Sequence, residues 1–226
     1  MKIYIISDTH FVERAQNLTV PNVDLIIHCG DEATSPYRDI NNNESREFFD
    51  WYSNLAVTNK IFVPGNHSLA VYYGMVKQED YPDVKFLIDE PYELNGIKFY
   101  GSPWTPTFGS DRWVYNRARG KLDEVWKNIP NDTNVLITHG PAQGFLDLTS
   151  DIEGNGRQKI QVGCKSLSNN ILNRLHRLKL HCFGHIHQEK GCYNSGILQA
   201  CGKTFVNASV CNLQYKLINN GYVIEI

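Results

Sequence analysis

The 226-residue sequence has six cysteines but no Cys-x-x-Cys pair, so neither a zinc ribbon nor a redox dithiol is signalled. No apolar run approaches the ~18 residues of a membrane span, and the stretch over residues 3–6 is too short for a signal peptide. These absences predict a soluble, cytoplasmic protein whose cysteines are buried thiols. No charge of one sign dominates, since 22 Lys and Arg face 24 Asp and Glu for a net charge of −2. That balance, with no basic stripe, argues against holding long nucleic acid by phosphate neutralisation. No repeat, linker or charge block interrupts the chain, so one domain over residues 1–226 is expected. With 42% hydrophobic residues, wholesale disorder is excluded. What stands out is histidine, of which there are eight.

Short β-type runs recur, and each ends in polar residues. Residues 2–7 lead into Asp8-Thr9-His10, 24–28 into Gly30-Asp31, and 60–63 into Gly65-Asn66-His67. Residues 98–100 lead into Gly101-Ser102-Pro103-Trp104, 134–138 into His139-Gly140-Pro141, and 180–183 into Gly184-His185-Ile186-His187. Helical spacing of apolar residues marks 44–59, 121–129 and 165–178, with Asn41-Asn42-Asn43 as a turn or cap before the first. The chain ends in β-type runs at 197–200, 204–208, 215–218 and 222–226, and Asn220-Gly221 signals a hairpin between the last two. Alternating helices and strands followed by a β-rich end predict an α/β fold. Its expected form is a four-layer α/β/β/α sandwich of two mixed β-sheets flanked by helices.

In open α/β sheets, ligands gather beyond the carboxyl ends of the strands. The residues at those ends are Asp8, His10, Asp31, Asn66, His67, His139, His185 and His187. Two carboxylates, an amide oxygen and imidazoles are hard or borderline donors for first-row divalent ions, here Mn, Fe, Zn or Co. A single catalytic zinc takes about three protein ligands, so this set suits two ions. Such a pair, bridged by a carboxylate and a water, can clamp a phosphate for in-line attack. His67 is then left over the site as a proton donor or charge stabiliser. Asp8 and His10 lie two apart, a spacing that lets both converge on one ion.

These blocks, in order, resemble the calcineurin-like metallophosphoesterases: D-x-H, G-D, G-N-H, a lone His, and G-H-x-H. The flanks are similar to the brain-type metallophosphoesterase-domain proteins, a subgroup associated with cyclic nucleotide phosphodiesterase activity. The similar stretches are Gly101-Ser102-Pro103-Trp104-Thr105-Pro106, Thr138-His139-Gly140-Pro141, Val162-Gly163-Cys164 and Phe205-Val206-Asn207-Ala208-Ser209. The resemblance implies one metal held by Asp8, His10, Asp31 and His187, and another by Asp31, Asn66, His139 and His185. Asp31 would bridge, a metal-bridging hydroxide would attack phosphorus, and His67 would help the leaving oxygen depart. The chain departs from the family pattern at Ser68, where Asp or Glu usually follows G-N-H and can hold the His as imidazolium. It also lacks the G-D-x-V-D-R-G of protein Ser/Thr phosphatases, since Glu32-Ala33-Thr34-Ser35 follows Asp31.

The expected function is hydrolysis of a small nucleotide-like, possibly cyclic, phosphodiester. A phosphomonoesterase and a non-catalytic metal-binding scaffold of the same fold are the alternatives. Trp104, Phe108, Trp113 and Tyr115 are candidates for stacking on a base, Trp104 foremost, because it follows a strand end near the site. Gly144 and Phe145 are candidates for lining the cleft. Arg112, Arg117, Arg119 and Arg157 are candidates for neutralising phosphate, although a solvated surface is the commoner fate of each. His28, His176, His181 and Asn207 are assigned to structure, with an outer-shell role beside the metal ligands as the alternative for His28.

Overall fold

The computed structural model describes residues 1–12, 18–109, 112–150 and 158–226. In chain order it has β1 (Lys2–Ile6), β2 (Leu25–His28), α1 (Arg38–Ser53), β3 (Asn59–Phe62), α2 (Leu69–Tyr72), β4 (Lys85–Phe86), β5 (Glu90–Leu94) and β6 (Ile97–Ser102). Next come β7 (Thr105–Pro106), β8 (Asn116–Arg117), α3 (Asp123–Trp126), β9 (Val135–Thr138), β10 (Leu148–Ser150) and β11 (Lys159–Gln161). The chain continues through α4 (Lys165–Asn173), β12 (Leu180–Phe183), β13 (Gly196–Ala200), β14 (Lys203–Asn207) and β15 (Tyr222–Glu225).

One sheet has the order β15-β1-β2-β3-β4 and is parallel except at β15. The other has the order β13-β14-β12-β9-β6-β5, parallel within and antiparallel at both edges. Successive side chains on a strand point to opposite faces, and here both faces are apolar. Ile3, Ile5, Leu25, Ile27 and Ile61 meet Phe99, Val135, Ile137, Leu180 and Val206 between the sheets. Tyr4, Ile6, Ile26 and Phe62 point the other way, onto Phe48, Phe49 and Tyr52 of α1. Tyr100, Leu136, Phe183 and Phe205 pack against Trp126 of α3 and Leu167 and Ile171 of α4. Three cores therefore separate four layers, in the predicted α/β/β/α order. Burial on both faces also explains why the strands read as short continuous apolar runs.

Three local expectations are corrected. The first helix begins at Arg38, so Asn41-Asn42-Asn43 lies inside it. Asn41 is buried there, donating to the carbonyls of Ser35 and His67 and accepting from the Ala70 amide. These tertiary hydrogen bonds override the residue's local preference for a cap. The helix predicted over 121–129 shortens to α3, and the one over 165–178 stops at Asn173. Arg174 turns back at that point and donates to the carbonyls of Trp126 and Ile129. Residues 215–218 form no strand, only an isolated bridge between Cys211 and Leu217, and β15 pairs with β1 instead of closing a hairpin. Asn219 donates to the Ser209 carbonyl, and Asn220 exchanges hydrogen bonds with Thr19. Gly221, at φ +72°, then turns the chain so close to β1 that a Cβ would come within 2.5 Å of Ile6 Cγ2. The Asn-Gly turn delivers β15 to the sheet edge.

Candidate metal centre

Strands β1, β2, β3, β9 and β12 run parallel within their sheets, and the loops after their carboxyl ends converge at one edge of the sandwich. Asp8, His10, Asp31, Asn66, His67 and His139 are buried in those loops, and His185 and His187 are partly so. Asp8, His10, Asp31 and His185 sit at φ +53°, +45°, +61° and +67°. Residues with a Cβ avoid this left-handed region, and each such conformation costs on the order of 1–3 kcal/mol unless its surroundings enforce it. The surroundings here leave little slack. A Cβ on Gly184 would lie 2.0 Å from Asp8 Oδ2 and Ser7 Oγ, so only glycine lets the β12 loop approach the β1 loop.

The donor atoms form three overlapping groups, each within 4.8 Å: Asp8 with His10 and His187, His10 with Asp31 and His67, and Asp31 with His139 and His185. His187 Nε2 lies 3.2 Å from Asp8 Oδ1 and 3.1 Å from His10 Nε2. His139 Nε2 lies 3.2 Å from Asp31 Oδ2 and 2.9 Å from Asn66 Oδ1. The His67 amide donates to Asp31 Oδ1 at 2.7 Å, and the His185 amide donates to Asp8 at 3.0 Å. In His10, His67, His139 and His187, Nδ1 meets a backbone carbonyl: Ala33 at 3.1 Å, Thr34 at 3.1 Å, Cys29 at 2.8 Å and Asn212 at 3.0 Å. A carbonyl only accepts, so each Nδ1 carries the proton and each Nε2 is turned to the site. Two Nε2 lone pairs 3.1 Å apart, as in His10 and His187, repel unless a proton or a cation lies between them. The donor set thus fits divalent ions.

Charge follows the same geometry. Burial alone would raise the Asp8 and Asp31 carboxyls, but the imidazoles of His187 and His139 outweigh it and hold both below the ordinary range. Burial alone would likewise lower His139, yet the Asp31 carboxylate lifts it to about 9, and Asp8 similarly raises His187. Burial leaves His10, His67 and His185 shifted down, His185 to about 3.

Other residues named from the sequence fall into different places. Trp104 donates its indole N–H to Asp89 at 2.6 Å and lies under the Arg117 guanidinium, 4.1 Å from the ring centre. Phe145 is buried and stacked on Phe205 at 3.9 Å. Both rings are thus engaged by protein partners, because strand ends and packing compete for the same aromatic rings. Phe108 lies edge-on to His185 at 4.7 Å, and Trp113 is stacked on His67 at 3.7 Å. Tyr115 is buried against Trp104 and Tyr72. Arg119 donates to the carbonyls of Val162 and Gly163, Arg112 is exposed, and Arg157 lies outside the described residues.

His28 is packed among Phe48 and Phe62, yet it also accepts from the Gly30 amide and bonds Thr9, linking two ligand loops. His181 is a buried strand residue bonded to Thr138, and His176 is exposed beyond the end of α4. Asn207 donates to the carbonyls of Leu146 and Ile186, anchoring the His185–His187 loop. All six cysteines are free thiols, and Cys201 departs from expectation in being exposed. The residues missed from sequence are Glu32, Asn41 and the carbonyls that orient the imidazoles. A carbonyl carries no side-chain signal at all.

Because Asp31 holds His139 protonated near neutrality, a divalent ion must displace that proton to bind. Titrating zinc into the metal-free protein at about pH 8 is expected to release protons. Calorimetry in two buffers of different ionisation enthalpy reads this directly, and equal heats in both would contradict it.

Residues 1–189 match the family model described as calcineurin-like phosphoesterase. Human metallophosphoesterase domain-containing protein 1 is 34% identical over 248 residues, covering 98% of this chain and 69% of that protein. A Caenorhabditis elegans relative is 33% identical over 229 residues, covering 94% of this chain and 70% of that protein. Phosphopantetheinyl hydrolase from Mycobacterium tuberculosis superposes with a TM-score of 0.61 at 15% identity, covering 95% of this chain and 90% of that one. At that identity the likeness is one of fold, whereas the sequence matches span the site. The chain belongs to the calcineurin-like phosphoesterase family and is akin to its metallophosphoesterase domain-containing proteins.

Proposed function

We propose that this protein is a dinuclear phosphodiesterase acting on a small, nucleotide-like phosphodiester, working in the cytoplasm as one domain over residues 1–226. Metal-dependent phosphoester hydrolysis comes with the family; the second ion, the diester preference and the kind of substrate are our reading. The observation that carries it is Asp31, whose carboxylate belongs both to the group with His10 and His67 and to the group with His139 and His185. One ion is assigned to Asp8, His10, Asp31 and His187, the other to Asp31, Asn66, His139 and His185. Mn, Fe, Zn and Co all suit such donors. When bound, the ions draw charge from the phosphoryl oxygens and acidify a water.

The chain's own residues orient the substrate and handle the proton. His67 is fixed by its Nδ1 bond to the Thr34 carbonyl and by the Trp113 ring, so Nε2 is the nitrogen free to serve the leaving oxygen. Burial keeps His67 neutral at rest, and the charge of an arriving phosphodiester favours its protonation. A proton taken up from solvent at Nε2 then passes to the departing oxygen. Beside His185 and His187 lies a cleft of about 730 Å³, walled by Pro106, Phe108, Ile160, Val162 and Leu213. Those walls suit a flat aromatic group such as a nucleobase. Arg119 lines the same cleft, but its guanidinium is committed to the carbonyls of Val162 and Gly163, which suits a diester monoanion better than a monoester dianion. Among the described residues no helix is long and apolar enough to cross a membrane. Free thiols suit a reducing compartment.

With manganese or cobalt supplied, bis-p-nitrophenyl phosphate should be hydrolysed with a kcat/KM about tenfold or more above that of p-nitrophenyl phosphate. A preference for the monoester would overturn the diester reading. His67→Ala should retain its ions while turnover falls by roughly 10²–10⁴. Unchanged turnover in that metal-loaded variant would remove His67 from the chemistry.

A further inference from the structure

Ser68 stands where family members usually carry Asp or Glu, yet the loop it closes is not short of a carboxylate. Glu32, the residue after Asp31, is wholly buried, and its Oε2 accepts from the Ser68 hydroxyl at 2.5 Å. The same hydroxyl accepts from the Gly65 amide at 2.8 Å, closing the turn that carries Asn66 and His67. The second oxygen of Glu32 accepts from Ser45 of α1 at 2.8 Å. Beside Ser45, Asn41 donates to the His67 carbonyl at 2.7 Å and accepts from the Ala70 amide at 3.0 Å. Glu44, also on α1, accepts from the amides of Thr34 and Ser35, and the Thr34 carbonyl takes the proton of His67 Nδ1.

Burial pushes the Glu32 carboxyl up to about 7 despite the two hydroxyls and a backbone hydrogen bond, because neutral donors compensate lost hydration less well than a cation does. Ser68 alone is too short to reach α1. Glu32 spans that gap and ties the loop bearing Asp31 to the loop bearing Asn66 and His67. Neither Glu32 nor Ser68 hydrogen-bonds the His67 ring; both act through the backbone of the turn.

We propose that Glu32 and Ser68 are a positioning pair: Glu32 supplies a buried carboxylate from the position after Asp31, and Ser68 relays it to the turn that carries Asn66 and His67. The pair sets the attitude of the His67 ring. Its catalytic consequence rests on the phosphodiesterase reading, but its structural consequence does not.

The test uses the full chain with isotope-labelled histidine. The His67 Nδ1–H resonance is assigned by its loss in His67→Ala, and His187 Nδ1–H, held by the distant Asn212 carbonyl, is the reference. Ser68→Ala and Glu32→Gln should each shift or broaden the His67 signal and leave His187 in place. Each should lower kcat by about tenfold or more with KM and bound metal nearly unchanged, and the double variant should be no worse than the worse single. Exchanging the two, Glu32→Ser with Ser68→Glu, should recover most of the loss. An unmoved His67 resonance, or losses that multiply in the double variant, would overturn the pairing. Should Glu32→Gln fail to fold, Ser68→Ala, which removes only a hydroxyl, gives the same reading. Absence of turnover on every diester would defeat the phosphodiesterase reading, while the resonances still decide the pairing.

Discussion

The Asp31 carboxylate is 2% exposed and packed among imidazoles, and the rest of the site can be understood as the means of keeping that charge buried. An isolated ionised carboxylate would cost far more to bury than any single contact returns. Here it is met by His139 on one oxygen and by the His67 amide on the other. Asp8 is treated likewise, with His187 and the His185 amide as its partners. The imidazoles of His10, His67, His139 and His187 are in turn fixed by carbonyls at Nδ1, so each Nε2 has one direction available. Divalent ions would complete this arrangement by supplying the positive charge that a proton on His139 otherwise provides.

The fold makes such crowding possible. Two sheets pressed together through the Ile3, Ile27 and Val206 core bring five parallel strand ends to one edge. The strain of four ligand-type residues at positive φ is borne by that rigid frame. Loops that had to find this geometry without strands beneath them would relax toward ordinary backbone angles. Helix α1 contributes from outside the sheets: Asn41, Glu44 and Ser45 reach under the Asp31 and His67 loops and hold them at a common height. The helix starts two turns earlier than its apolar spacing predicts because these polar contacts, absent from any periodicity, require it.

Much of this was legible in the sequence, for a physical reason. Strands buried on both faces leave continuous apolar runs, and donors at strand ends leave short polar blocks such as Asp8-Thr9-His10. Both survive in one dimension. Rings that could pack or bind did not sort themselves: Trp104 and Phe145 lie against Asp89 and Phe205, while Phe108 and Trp113 lie on His185 and His67. Nothing in composition distinguishes these outcomes, which depend on which way a loop turns. Glu32 was equally hidden. It reads as one more charge after Gly-Asp, and only its contact with Ser68 shows what it holds.

The central claim is that Asp31 joins two ions in one site. Counting metal per chain tests it most directly, by elemental analysis of protein reconstituted with manganese or zinc and freed of excess ion. The account predicts about two ions per chain in the wild type and fewer than about one in Asp31→Asn, because a bridging ligand serves both positions. A single ion in the wild type, or two retained in Asp31→Asn, would contradict it.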